Sequence, residues 1–364
     1  MNIANVPPQP LTAVMNDFLR EIRDQPAALR RLRDFYAGAG AELLRELPRL
    51  RERKATSQVL ISGMGSSLFA AYPALRLLSE RGISASLMET SELLHYHAEG
   101  TPPSALVMLV SQSGETIEME RLLQRLPGRD RIIAVTNVAG STLGRAGAVT
   151  LPIHGGPQLT EVSARTYHNT VAALLLAADA LTGGGEVLGR LAPAADAMAT
   201  FLAGADGLGD RMDEFVGTPS STSILARGPS LATAYQGAFN LKEVARFFAE
   251  PMSAAQYRHG PIEVAEPGHL AMVMAPLGAT FTLLRKLTEE LLGFGTRVVF
   301  VTDTQESLRH DGDGLLAVRH PHLDESLAPL INLLPLQMFA NARAGRLGIT
   351  AGRLTKASAV MRVE

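Results

Sequence analysis

The chain has 364 residues, 46% of them hydrophobic, with 34 Lys and Arg against 36 Asp and Glu for a formal net charge of −2. Such a balance gives no bulk attraction to nucleic acid or to an anionic membrane, and no apolar run approaches the roughly 20 residues of a spanning helix. With no cysteine, disulfides, thiolate metal sites and cysteine nucleophiles are excluded together, and neither a metal nor a cofactor is expected. The opening Met1–Pro8 lacks the charged and apolar regions of a signal peptide, so a cytoplasmic location is expected.

Residues 1 to about 50 read as helical, with Leu19, Ile22, Leu29, Leu32 and Phe35 at roughly helical spacing. Gln25-Pro26 is expected to start a second helix, because proline is favoured in a first turn. Strands then alternate with helices: 58–62, a helix from 66, 84–88, 105–110, a helix from 115, 131–136, 149–153, and a long alanine/leucine helix over about 163–182. Gly183–Gly185 and the alanine-rich segment to Gly204 are expected to connect two halves, the second starting at about 221. The halves repeat one another. Val59–Ser67, an apolar run into a Gly/Ser turn, is matched by Ser223–Ser230; Val107–Val110 by Met272–Ala275; and Ile132–Asn137 by Val298–Asp303, at offsets of 163 to 166. Three strand-turn units in register point to two copies of one α/β domain. The division expected is a helical segment (1–50), a first domain (51–205), a second (206–346) and a tail (347–364). Alternating strands and helices with short turns indicate doubly wound parallel sheets, where ligands lie beyond the carboxyl ends of the strands.

Directly after the apolar run Ala105–Val110 stands Ser111-Gln112-Ser113-Gly114-Glu115-Thr116. A strand ending in a hydroxyl-rich, glycine-containing turn before a helix offers unpaired N–H groups and the positive end of a dipole, hence an anion site. Ser111, Ser113 and Thr116 add hydroxyl donors and Gln112 an amide, while the absence of a lysine or Walker-type pattern argues against a nucleoside triphosphate. The ligand inferred is a small phosphomonoester. Taken alone such a loop is more often a turn and cap; the repeat supplies the support. The second copy has Pro276–Thr280 at this place and has lost most of the hydroxyls, so one phosphate site per chain is expected.

Further motifs fall in order along nearly the whole chain: Glu21-Ile22 with Gln25-Pro26, Gly63–Ser67, the Ser111–Thr116 loop, Asn240–Glu243, His259-Gly260-Pro261, Pro335–Gln337 and Leu354–Lys356. In these the chain resembles the double SIS (sugar isomerase) family, in particular the isomerase half of glutamine–fructose-6-phosphate amidotransferases and the stand-alone amino-sugar-phosphate deaminases. The resemblance implies tandem flavodoxin-like SIS domains, with Ser66, Ser67, Ser111, Gln112, Ser113 and Thr116 holding a sugar phosphate. It implies that Glu243 moves a proton between C1 and C2 of the open-chain sugar. It further implies that His259 opens the ring from the neighbouring subunit of a homodimer, and that Lys356 forms an imine with the ketose. One carboxylate that removes and returns a proton, an imidazole that titrates near neutrality and a deprotonatable amine suit these tasks. Lys54, Lys242, Lys286 and Lys356 are the only lysines, against thirty arginines, and arginine cannot supply such an amine. From sequence alone Glu243 reads more often as a surface or ion-paired acid, His259 as a loop histidine holding a backbone carbonyl and Lys356 as a solvated tail residue.

Departures from the family pattern affect the sugar end. Gln158–Tyr167, which includes the candidate substrate-binding Ser163, carries glutamine for a family glutamate and, at Arg165, arginine for lysine. Gly345–Arg353 replaces the Asp-x-Asp-x-Pro approach to the final lysine, and the ending after Lys356 is longer. Glu89 and Glu161 are given no role. The amidotransferases' glutaminase uses a cysteine nucleophile, which this chain lacks, so ammonia release from glutamine is not expected. The function expected is an amino-sugar-phosphate deaminase/isomerase converting glucosamine 6-phosphate to fructose 6-phosphate and ammonia. The alternatives are a phosphosugar aldose–ketose isomerase, a fructosamine-phosphate deglycase, or a silent phosphosugar sensor, the last disfavoured by Glu243 together with His259.

Overall fold

The structure is a computed structural model that describes residues 15–306, 308, 313–358 and 360–362. The helical reading of residues 1–14 lies outside the described residues. Two amphipathic helices, α1 (Asp17–Ala37) and α2 (Ala41–Lys54), precede the first sheet. Asn16 caps α1 by accepting the Leu19 N–H at 2.9 Å. The break expected at Pro26 does not occur: Pro26 lies inside α1, whose buried face runs unbroken from Phe18 through Ile22 to Leu32. The apolar stripe outweighs the one backbone hydrogen bond that proline forfeits.

The first copy runs β1 (Gln58–Gly63), α3 (Ser66–Phe69), α4 (Tyr72–Glu80), β2 (Ser84–Glu89), α5 (Thr90–Glu92), β3 (Leu106–Val110), α6 (Ile117–Arg125), β4 (Ile132–Thr136), α7 (Thr142–Ala146), β5 (Val149–Pro152) and α8 (Arg165–Leu181). The connection between copies is itself helical, α9 (Glu186–Ala203) and α10 (Leu208–Val216). The second copy follows as β6 (Ser221–Ala226), α11 (Leu231–Ala245), β7 (Glu250–Ser253), α12 (Ala254–Tyr257), β8 (His269–Met274), α13 (Phe281–Gly293), β9 (Arg297–Thr302), β10 (Leu315–Arg319) and α14 (Pro329–Arg346). Every strand pair is parallel. The sheets have the orders β2-β1-β3-β4-β5 and β7-β6-β8-β9-β10, the same topology twice, as the repeat requires. Strands β3, β4 and β8 are buried along their whole length, which is why they read as uninterrupted apolar runs. Among the described residues no helix is long and apolar enough to cross a membrane.

The two copies share one core. Helix α1 packs against α8, α9 and α14, and α11 packs on α3. Tyr72 and Tyr235, which are equivalent positions 163 residues apart, stack on each other with centroids 5.5 Å apart and planes 10° apart. Beside them, Phe69 meets Tyr235 at 5.2 Å and Phe239 at 4.8 Å. Helices α10 and α14 approach closely at Gly209, where a Cβ would come within 2.5 Å of the Met338 carbonyl oxygen. That neighbour is backbone, so Gly209→Ala should cost about 1–3 kcal/mol by overpacking, read as a lowered denaturation midpoint with an unchanged m-value.

Candidate active site

Strands β1 and β3 end side by side, Gly63 opposite Val110, at the point where the first sheet's strand order reverses. The loops that leave them face one crevice. In the first, Gly65 takes φ +48° and leads into Ser66 and Ser67, which open α3. A Cβ on Gly65 would stand 3.1 Å from the Phe239 ring, so the second copy packs against the loop backbone itself.

The second loop is fastened from behind. Ser111 Oγ accepts the Gly114 N–H at 3.1 Å, and Ser113 Oγ accepts the Glu115 N–H at 3.2 Å. Gly114 has φ +67°, and a Cβ there would fall 2.0 Å from Ser141 Oγ. The Glu115 carboxylate accepts both the backbone N–H and the hydroxyl of Thr142, each at 2.8 Å. These bonds, the backbone one foremost, hold its pKa below the ordinary value. Gln112 contributes its carbonyl to the Asn137 N–H at 3.0 Å. Thr116 stands before the first turn of α6 in extended conformation and makes no side-chain cap bond. The serine oxygens thus shape the turn, while their protons and the Thr116 hydroxyl remain donors.

Glu243 reaches this crevice from the other domain. Tyr235, Phe239 and Glu243 are spaced four apart on α11 and share its face. Since the first two meet Phe69 and Gly65, that face is turned to the first copy's loops. Burial pushes the Glu243 carboxyl up to about 7 from an ordinary 4.5. Its neighbour Lys242 turns away, with Nζ 5.2 Å from the Phe248 ring centroid. On the same helix, Asn240 Nδ2 donates to the Ser163 carbonyl at 3.4 Å, bringing the expected Ser163 segment to the crevice.

A chain of buried amides fixes this arrangement. Gln25 Nε2 donates to Gln337 Oε1 at 2.7 Å, and Gln337 Nε2 donates to Asn240 Oδ1 at 3.4 Å. Nearby, the fully buried Glu21 accepts the Leu159 N–H at 2.7 Å and the Thr160 hydroxyl at 3.0 Å. Arg165, where the family pattern has lysine, is committed to structure: it pairs with Asp24 at 2.7 Å and Glu21 at 3.4 Å and donates to the Pro157 carbonyl. Sequence reasoning named these motif residues without seeing that they form one connected set.

The tail runs along the same crevice. Glu161, which the sequence left without a role, accepts the Leu354 N–H at 2.6 Å and donates its own N–H to the Gly352 carbonyl at 2.9 Å. Farther on, Arg246, at the end of α11, donates to the Thr355 hydroxyl at 3.5 Å, and the Met361 carbonyl accepts the Ile117 N–H at 3.1 Å. Lys356 therefore lies on the stretch between the Glu243 helix and the start of α6, with an exposed side chain. His259 is not brought in. It is exposed on the turn after α12, an element that packs on β6 and β7 rather than on the phosphate loops.

The pattern of the SIS domain family matches residues 50–180 and 220–342, one match for each sheet. The chain belongs to the SIS domain family. This SIS protein is 26% identical over 332 residues to the glutamine–fructose-6-phosphate aminotransferase [isomerizing] of Pyrococcus horikoshii, a match covering 88% of this chain and 53% of that one. The chain thus spans about half the length of the curated relatives it matches. Among solved structures, the C-terminal domain of glucosamine-fructose-6-phosphate aminotransferase from Francisella tularensis superposes with a TM-score of 0.81 at 19% identity, covering 94% of this chain and 98% of that one. Glucosamine-6-phosphate deaminase from Thermotoga maritima gives 0.72 at 19% identity, covering 96% and 100%. Likeness at this identity establishes the fold.

A carboxyl whose folded pKa lies above its unfolded value stabilises the fold in the protonated form. For Glu243 that contribution is complete below pH 4.5 and is lost as pH rises through about 7. Glu243→Gln, which cannot ionise, should gain on the wild type by about 1–3 kcal/mol between mildly acidic and mildly alkaline buffer, measured by paired thermal melts. A constant difference across that range would show that Glu243 titrates normally.

Proposed function

We propose that this SIS protein is a cytoplasmic amino-sugar-phosphate deaminase/isomerase, acting on glucosamine 6-phosphate to give fructose 6-phosphate and ammonia. The observation that carries the reading is Glu243: a half-buried carboxyl whose pKa is pushed up to about 7, on the face of α11 that meets the loop after β1 of the other domain. A group that must take a proton from C2 and return it to C1 works best when neither form is strongly favoured. Ser66, Ser67, Ser111, Gln112, Ser113 and Thr116 hold the phosphate on their hydroxyls, amides and the α6 terminus. With the sugar open, proton transfer from C2 to C1 converts the amine-bearing carbon to an imine, and water then releases ammonia and leaves the ketone. Lys356, carried by the tail, takes the carbonyl as an imine. His259 opens the ring from the partner of a homodimer. Low free ammonia draws the reaction toward deamination.

Ammonia release across a panel of amino-sugar phosphates tests the reading, and no release from any of them would refute it. Ser113→Ala should raise KM about tenfold, as one donor to a charged ligand contributes roughly 1.5–3 kcal/mol. Glu243→Gln should retain affinity and lower kcat by about 10²–10⁴. Wild-type kcat/KM should climb with pH through a midpoint near 7, where Glu243 becomes a base.

Mixing inactive His259→Asn subunits with inactive Ser113→Ala/Glu243→Gln subunits should restore activity, because a heterodimer contains one site with every group intact. Proven subunit exchange with no recovery would place each histidine in its own chain's site.

A further inference from the structure

The repeat gives the second sheet a crevice of its own, between the loops that follow β6 and β8. Its backbone is built like the first: Gly228, equivalent to Gly65, has φ +54°, and the Pro276–Thr280 loop leads into the 13-residue helix α13. What differs is the content. The Glu325 carboxylate, from the segment before α14, lies between the two loops and is 14% exposed. One of its oxygens accepts the Ala279 N–H at 3.3 Å and meets Arg76 Nη1 at 3.1 Å. The other is 3.8 Å from where a Cβ on Gly228 would be. A Cβ on Gly278, the counterpart of Ser113, would fall 2.4 Å from the Glu325 carboxyl carbon, so glycine at this position makes room for it.

We infer that Glu325 is an internal ligand: its carboxylate occupies the anion position of the second crevice, and its removal opens a site for a small oxyanion of the phosphate type. The inference rests on the reading of the first crevice as a phosphate site. A carboxylate supplies to a loop amide and an arginine the same charge-assisted bonds that a phosphate oxygen would. The space for a larger occupant exists alongside, in a cavity of about 560 Å³ lined by Arg76, Glu80, Arg190, Gly278, His322 and Glu325. Arg76 is shared with Glu80 at 2.7 Å, and Arg190 with Asp324 at 3.3 Å and Glu186 at 3.2 Å, so Glu325 is one of several acids there. Asp303 also reaches the loop, where it accepts the Leu277 N–H at 2.7 Å at the loop's start, whereas Glu325 reaches Ala279 and the space beside Gly228. Its ion pair with Arg76 also ties α4 of the first copy to the second. One phosphate per chain then follows from occupancy of the second crevice as well as from its missing hydroxyls.

The test counts inorganic phosphate sites per chain by calorimetry, in the wild type and in Ser113→Ala, each with and without Glu325→Ala. Glu325→Ala should add one site in both backgrounds, with affinity at least tenfold above any residual binding, and Arg76→Ala on top should remove it. Should Glu325→Ala not fold by circular dichroism, Glu325→Ser, short and neutral, also leaves the position empty and should likewise add binding. No added site in a folded variant would overturn the inference and leave Glu325 as a domain tie only. A wild type that already binds two phosphates would overturn it as well. Retention of full affinity in Ser113→Ala with Glu325 intact, by contrast, would fault the first crevice's assignment and not this one.

Discussion

The candidate site depends on the aromatic contact between the two copies. Phe69, Tyr72, Tyr235 and Phe239 lock α11 of one domain against the loop after β1 of the other, and Glu243 is one helical turn beyond that lock. Ring pairs of this kind contribute about 0.5–1.5 kcal/mol each beyond the area they bury, and their offset and edge geometries tolerate little sliding. For the proton transfer proposed for Glu243, a support made of rings holds the carboxyl more firmly than one of mobile side chains.

Because Tyr72 stacks on its own counterpart, each copy presents the same helix to the other's crevice. Glu80 on α4 is 163 residues before Glu243 and occupies the equivalent position. One turn earlier α11 has Phe239 and α4 has Arg76. Beside a phenyl ring and within the domain interface, Glu243 is driven toward its neutral form. Glu80, half exposed, is paired with Arg76 at 2.7 Å. A single neighbouring side chain separates a carboxyl suited to proton transfer from one engaged in an ion pair, although the repeat gives both the same backbone.

Sequence reasoning reached the sheets because parallel strands buried on both faces are written as plain apolar runs, and Ile132–Thr136 and Leu106–Val110 are such runs. Ser111–Thr116 was legible for the same reason: a loop after a buried strand must satisfy its own backbone, and here the residues that do so are serine, glycine and threonine. Contacts between residues far apart in sequence were not legible. Nothing local indicates that Gln25, Asn240 and Gln337 bond to one another across more than three hundred residues, or that Glu161 holds the tail. Pro26 misled because first-turn preference is a local rule, whereas the helix persists through a long-range apolar face. Arg165 is a similar case: the substitution is visible in the sequence, yet only packing reveals that its guanidinium is spent on α1.

The seam along which the tail lies has a kinetic consequence. Its far end is held to the α6 terminus by one backbone hydrogen bond, Ile117 N–H to the Met361 carbonyl, of a kind worth about 1 kcal/mol net in water. Parting it requires no rotation of either domain and no repacking of the shared core. Motions of a chain terminus occur on the nanosecond-to-microsecond scale, whereas domain hinges take microseconds to milliseconds. Release of this hydrogen bond would uncover the start of α6 while the bonds to Glu161 and Arg246 keep the tail attached and both sheets stay in place.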